Sequence, residues 1–252
     1  MEGSTSLAAT GSLLLGSQVG KKNFIFKIVI LGDSAVGKTS MIQRYIKKSM
    51  SQVYKPTIGA DFHSKKVEIT LDGQETKTVT LQIWDTAGQE RYQSLGVAFY
   101  RGAEACMMVY DITSQRSFDN LSQWKSDFIN KAGPREPERF PFFLIGNKSD
   151  KAEEGQRKVS LDDVEKWRKQ HNNMPYEETS AMKGSNIDET FLSVAEYLLK
   201  RTLESETTAF PTSISGVQGV SRPQSNQFAL QEQHKGQGLQ GVEKKRNKSS
   251  CC

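Results

Sequence analysis

The sequence predicts an α/β fold: one folded domain with a tail at each end. Strand-like apolar runs alternate with segments of helical periodicity from about residue 24 to residue 203. A glycine-rich loop, Gly32 to Thr39, joins the first of these runs to the first helical segment. A chain of 252 residues, 36% hydrophobic and 25% charged, can bury one full-sized core and no second one. Of the 3 cysteines, Cys106 sits in an apolar run and reads as a small core residue, while Cys251 and Cys252 end the chain, so no disulfide framework is implied. A net charge of +5, dispersed over the folded part, argues against a nucleic-acid partner. Leu13-Leu14-Leu15 is too short to span a membrane and lacks the basic flank of a secretory signal, which predicts a cytosolic body.

Taken in order, residues 1–22 are rich in Gly, Ser and Thr and read as a disordered extension. Phe24 to Leu31 reads as a buried strand, and Met41, Ile42, Tyr45 and Ile46 recur at helical spacing after the glycine loop. Ser49 to Ala60, with Pro56 and Gly59 and no apolar period, predicts a loop. Val67, Ile69 and Leu71 face Val79, Leu81 and Ile83 across Asp72-Gly73, the pattern of an antiparallel hairpin. Strands are expected at Ala105 to Tyr110 and Phe142 to Gly146, and helices near Ser117 to Lys131, Ser160 to Asn172 and Ile187 to Leu203. The last carries Ile187, Phe191, Val194, Ala195, Leu198 and Leu199 on one stripe. Beyond Leu203 the chain is poor in large apolar residues and cannot form a core.

Three motifs carry chemistry. Gly32-Asp33-Ser34-Ala35-Val36-Gly37-Lys38-Thr39 fits the phosphate-cradling pattern, in which backbone N–H groups and a helix N-terminus face phosphate oxygens. Lys38 would neutralise the β and γ phosphates, and the Thr39 hydroxyl is placed for magnesium. Trp84 to Glu90 ends the strand of Leu81 and Ile83, so Asp85 can reach the metal through water, the Gly88 N–H can meet a γ-phosphate, and Gln89 can orient the attacking water. Asn147-Lys148-Ser149-Asp150 chooses the base. The Asp150 carboxylate can accept from guanine N1–H and the exocyclic amine, Asn147 would brace the site, and the Lys148 stem can lie against the ring. Thr179-Ser180-Ala181 can offer an N–H to guanine O6.

These residues resemble the small GTPases of the Ras superfamily, and among them the Rab branch. Thr57 to Phe62, Leu81 to Tyr92 and Phe99 to Ala103 are similar to Rab-characteristic segments; Ser94 to Ala103, Gly133 to Pro141 and Asn172 to Tyr176 resemble the late-endosomal, seventh Rab subfamily. The resemblance implies a phosphate-loop small G domain over residues 23–203: a mostly parallel six-stranded sheet with one antiparallel edge strand and helices on both faces. It implies GTP/GDP and Mg2+ as ligands, with Ser40, Tyr54 and Met182 joining the residues above around GTP. Thr57 would bind metal and γ-phosphate beside Thr39 and Asp85, and Gln89, Lys38 and Thr57 would serve a slow hydrolysis that an activating protein stimulates. Phe62, Trp84 and Phe99 match the aromatic trio that Rabs present to effectors, with ordinary core aromatics as the other reading. Expected partners of this monomer are an exchange factor, an activating protein, a GDP-dissociation inhibitor, an escort protein, and tethering and motor-adaptor effectors of late endosomes, lysosomes or vacuoles.

The tail, residues 204–252, ends in Cys251-Cys252, similar to the double-cysteine end on which Rabs carry two geranylgeranyl groups. Lys244, Lys245, Arg246 and Lys248 would add attraction to anionic lipid, ~1 kcal/mol each at best. Three other readings stay open: a Rab-like switch on another endomembrane, a nucleotide-holding scaffold with negligible hydrolysis, and a metabolic phosphate-loop ATPase.

Overall fold

The computed structural model describes residues 22–49, 57, 59–73, 75–88 and 96–209. Gln89, Tyr54, the extension before Lys22 and the cysteine pair Cys251 and Cys252 lie outside the described residues. Six strands, β1 (Phe24–Leu31), β2 (Ala60–Ile69), β3 (Lys77–Thr86), β4 (Ala105–Asp111), β5 (Phe142–Asn147) and β6 (Tyr176–Thr179), form one sheet in the order β2-β3-β1-β4-β5-β6. All pairs are parallel except β2 with β3. The expected mostly parallel sheet with one antiparallel edge strand is the one found.

Helices α1 (Lys38–Lys47) and α7 (Ile187–Ala209) cover one face. The other face packs on α2 (Gly96–Tyr100), α3 (Gln115–Asp119), α4 (Leu121–Ala132) and α6 (Leu161–Gln170). A short helix, α5 (Asp150–Glu153), follows β5. The central strands therefore bury both faces: in β4, Ala105, Met107 and Val109 enter one core, and Cys106, Met108 and Tyr110 the other. In β3, buried Val79, Leu81 and Ile83 alternate with half-buried Thr80, Gln82 and Trp84, because helices cover only one side there. Tyr45 of α1 stacks on Phe191 of α7 at 4.1 Å between ring centres, which adds about 1 kcal/mol to their area burial.

Two of the expected helices differ from expectation. The helical run near Ser117 to Lys131 is two helices divided at Asn120, which is turned to another use described below. The last helix runs six residues past Leu203, to Ala209. Its extra turns are polar, so apolar periodicity is silent there. The Ser205 and Thr207 hydroxyls bond back to the carbonyls of Thr202 and Leu203, and Lys22 pairs with Glu206.

Candidate functional site

Each parallel strand delivers a polar residue at or just past its C-terminal end, where ligands bind in open α/β sheets. After β1 the chain turns into the phosphate loop. Gly32 (φ 139°) leaves no room for a side chain, since a Cβ there would fall 2.0 Å from the Val109 carbonyl oxygen. Gly37 (φ 103°) faces the Asn147 amide, with 2.2 Å left for a Cβ. Gly37 caps α1 without a side chain, so the first N–H groups of the helix have no side-chain acceptor of their own and suit an anion. Lys38 is buried and donates to the carbonyls of Gly32 and Asp33, each at 2.8 Å. Burial pushes its ammonium down to about 8, against the pull of the Asp85 and Asp33 carboxylates. The Asp33 carboxylate accepts from Asn120 Nδ2 and Trp124 Nε1, both at 2.7 Å. These two residues, which no sequence motif marks, fasten the loop to the α3–α4 break.

Next to the loop, Asp85 is the last residue but one of β3, opposite Ile30 of β1, and is wholly buried. Its Oδ2 accepts from Thr39 Oγ1 at 2.6 Å, and that hydroxyl lies 2.7 Å from Thr57 Oγ1. Among the described residues, Asp85 Oδ1 has no hydrogen-bond partner although it is buried. Burial raises the Asp85 carboxyl above its ordinary range, opposed by the Thr39 hydroxyl, Lys38 and His63. Two hydroxyls and a carboxylate with a spare oxygen form an all-oxygen donor set, which fits a hard cation such as Mg2+. Gly88 passes so close to the phosphate loop that a Cβ would meet the Ser34 nitrogen at 2.4 Å and the Asp33 carbonyl at 2.5 Å. Gln89, the expected water-orienting residue, follows outside the described region.

The base end is built around Asn147. Its Nδ2 donates to the Val36 carbonyl at 2.8 Å, and its Oδ1 accepts from Thr179 Oγ1 and the Ala181 N–H, each at 3.2 Å. Within Thr179-Ser180-Ala181, the segment expected to offer an N–H to guanine O6, the Ala181 N–H bonds Asn147, and one amide ties the phosphate loop to β6. Asp150 accepts from Ser180 Oγ at 2.6 Å. Lys148 (φ 69°) pairs with Asp111 at the end of β4, Nζ to Oδ2 2.6 Å. Burial works to raise the Asp111 carboxyl, but Lys148 and Thr113 outweigh it and hold it below the usual carboxylate range. Met182 is 63% exposed just beyond Ala181. A cleft of about 570 Å³ is lined by Asp33 to Val36, Gly88, Asp111 and Lys148, and continues along α3 and α4.

Outside this row the aromatic trio is one patch. The rings of Phe62 and Trp84 lie 5.3 Å apart, those of Trp84 and Phe99 5.6 Å, and Lys27 Nζ stands 4.6 Å over Trp84. Phe62 is 47% exposed, while Trp84 and Phe99 are half-buried against the second core.

Loop N–H groups, a buried lysine, an all-oxygen donor set and the Asn147–Asp150 corner thus stand along the C-terminal ends of β1, β3 and β5. That is the plan of a phosphate-loop GTP-binding domain. Residues 27–200 match the Ras family, and the relatives agree. Ras-related protein Rab-7a of Paramecium octaurelia is 45% identical over 82% of this chain and 97% of its own length. RABG3f of Arabidopsis thaliana is 50% identical over 74% and 88%, and Rab7 of Drosophila melanogaster 46% over 81% and 95%. The chain belongs to the Ras family of small GTPases, in its Rab branch. It is a GTP-binding, GTP-hydrolysing switch of vesicle trafficking.

Proposed function

We propose that this switch serves transport and fusion between late endosomes and lysosomes or vacuoles, cycling between those membranes and cytosol. Support comes from relatives that carry the Rab7 and RABG3 names over nearly their whole lengths. In this reading Gly32 to Ser40, Tyr54, Thr57, Gly88, Asn147, Lys148, Asp150 and Ser180 to Met182 surround the nucleotide. Thr39, Thr57 and Asp85 hold Mg2+, which neutralises charge on the β and γ oxygens when bound. Lys38 then exchanges the carbonyls of Gly32 and Asp33 for phosphate oxygens, and Thr57, released after hydrolysis, is the moving part of the switch. Gln89 orients the water. Phe62, Trp84 and Phe99 receive effectors, the usual Rab regulators act on the domain, and geranylgeranyl groups on Cys251 and Cys252 anchor tail 204–252. No described helix is long and apolar enough to cross a membrane.

The observation that carries the metal reading is the buried, unpartnered Asp85 Oδ1 beside two threonine hydroxyls. Thr39→Asn is expected to weaken Mg2+ and prevent GTP loading; normal loading contradicts the assignment. The membrane reading is checked by imaging full-length protein at native expression with both terminal cysteines intact or changed to serine. Late-endosomal signal that becomes cytosolic supports it. Lipid-dependent signal on another membrane removes the late-endosomal part, and signal indifferent to the change removes the anchor.

A further inference from the structure

Between the phosphate loop and the base loop runs a contact that none of the motifs contains. Arg44 lies in the last turns of α1, half-buried, with its guanidinium spread over three main-chain carbonyls. Nε donates to Ala181 O at 3.0 Å, a terminal nitrogen donates to Met182 O, and the other reaches Lys48 O at 3.3 Å. Gly184 packs on the same side chain, with Arg44 Cδ 3.4 Å from where its Cβ would stand.

The loop that Arg44 grips is otherwise closed on itself. Ser180 N donates to Ser185 O at 3.1 Å, Gly184 N to Ser180 O at 2.7 Å, and Lys183 N to Ser180 Oγ at 3.0 Å. Ser180 in turn holds Asp150, and Ala181 holds Asn147. The outward carbonyls of Ala181 and Met182 are left for Arg44. The helix that carries Arg44 begins with Lys38 and Thr39, five to six residues away, about 8 Å along the axis.

We infer that Arg44 is a positioning residue, a strut by which α1 fixes the base loop at a set distance from the phosphate and metal groups, and thereby sets how long the nucleotide stays bound. The inference rests on the nucleotide reading given above. A guanidinium suits the task because its planar fork serves several carbonyl oxygens at once, whereas a lysine offers one point of attachment.

The test is release of a fluorescent GDP analogue, mant-GDP, from the full-length protein, with Mg2+ present and after chelation by EDTA. Arg44→Ala is expected to speed release about ten-fold and Arg44→Lys by less, as loss of charge-assisted hydrogen bonds implies. The factor by which EDTA speeds release should be the same in parent and variants, because the strut acts on the base end and leaves Thr39 in place. Unchanged release in both variants overturns the inference. So does loss of the EDTA effect in the variants, which would mean that α1 itself has loosened. Should Arg44→Ala fail to fold, Arg44→Lys alone decides by the same two readings. A parent that binds no mant-GDP overturns the nucleotide reading and the strut with it, whereas a binding parent with unaltered variants overturns the strut alone.

Discussion

At the scale of single residues, the site depends on groups that leave no slack. Gly37 combines a left-handed backbone with 2.2 Å of clearance to the Asn147 amide. Gly37→Ala is therefore expected to cost about 3 kcal/mol, read as a lowered midpoint in urea, together with weakened GDP binding. In the proposed reading, Asp150 chooses the base by accepting two hydrogen bonds. Asp150→Asn should exchange GTP for xanthosine triphosphate, with GTP affinity falling about a thousand-fold in competition binding. Ser180 can still donate to the new amide oxygen, so the fold should hold. Lys38, Thr39, Asp85, Asn147 and Asp150 were legible because fixed spacing on a strand and loop marks their chemistry. Asp111, Asn120, Trp124 and Arg44 were not, since each acts on a partner that only the folded chain brings near. The bond from the Ala181 N–H to Asn147 was hidden for the same reason: nothing in the sequence says that Asn147 Oδ1 stands 3.2 Å away.

At the scale of elements, β5 and β6 are kept in place by a chain of polar groups under the base site. Arg157 grips Glu178 through two hydrogen bonds of 2.8 and 2.6 Å, Tyr176 donates to Glu178 at 2.5 Å, and the Tyr110 and Tyr176 hydroxyls meet at 2.9 Å. Gly146 has no side chain where these hydroxyls pass, with about 3 Å to a Cβ. Burial alone would raise the Glu178 carboxyl, but Arg157 and Tyr176 outweigh it and hold it below the ordinary value. As pH falls, the unfolded chain therefore takes up its proton first. The stabilisation is complete above the ordinary carboxylate range and is lost as pH drops through the folded value. Glu178→Gln should cost about 2 kcal/mol at pH 7 and less at pH 4, seen as urea midpoints of variant and parent drawing together. Element types read well from sequence where burial imposed a period. Strands β1, β4 and β5 are apolar on both faces, and the hairpin alternates. The five-residue α2 has no period to show, and the break at Asn120 serves Asp33 rather than the local helix.

At the scale of the molecule, the sheet order sets the direction of the ligand in the proposed reading: metal groups on β3, phosphate after β1, base on β5 and β6, across roughly 14 Å from β3 to β5. A ligand that ties so many strand ends together binds the folded state alone. GDP with Mg2+ at a thousand times its dissociation constant should add about 4 kcal/mol, with EDTA taking part of it away; thermal unfolding with and without nucleotide measures both. The α/β class and strand number follow from sequence and resemblance, but the ties between the two ends of the ligand do not, because they join residues more than a hundred positions apart.

Arg44 adds something to this picture that concerns descent more than chemistry. It holds carbonyl oxygens, which every amino acid possesses, so inheritance places no demand through this contact on the side chains at 181 and 182. A lineage can trade a lysine for the exposed Met182 and keep the loop where it was. The side chain at 182 is thus free to change, while a single arginine on another helix preserves the shape of the loop.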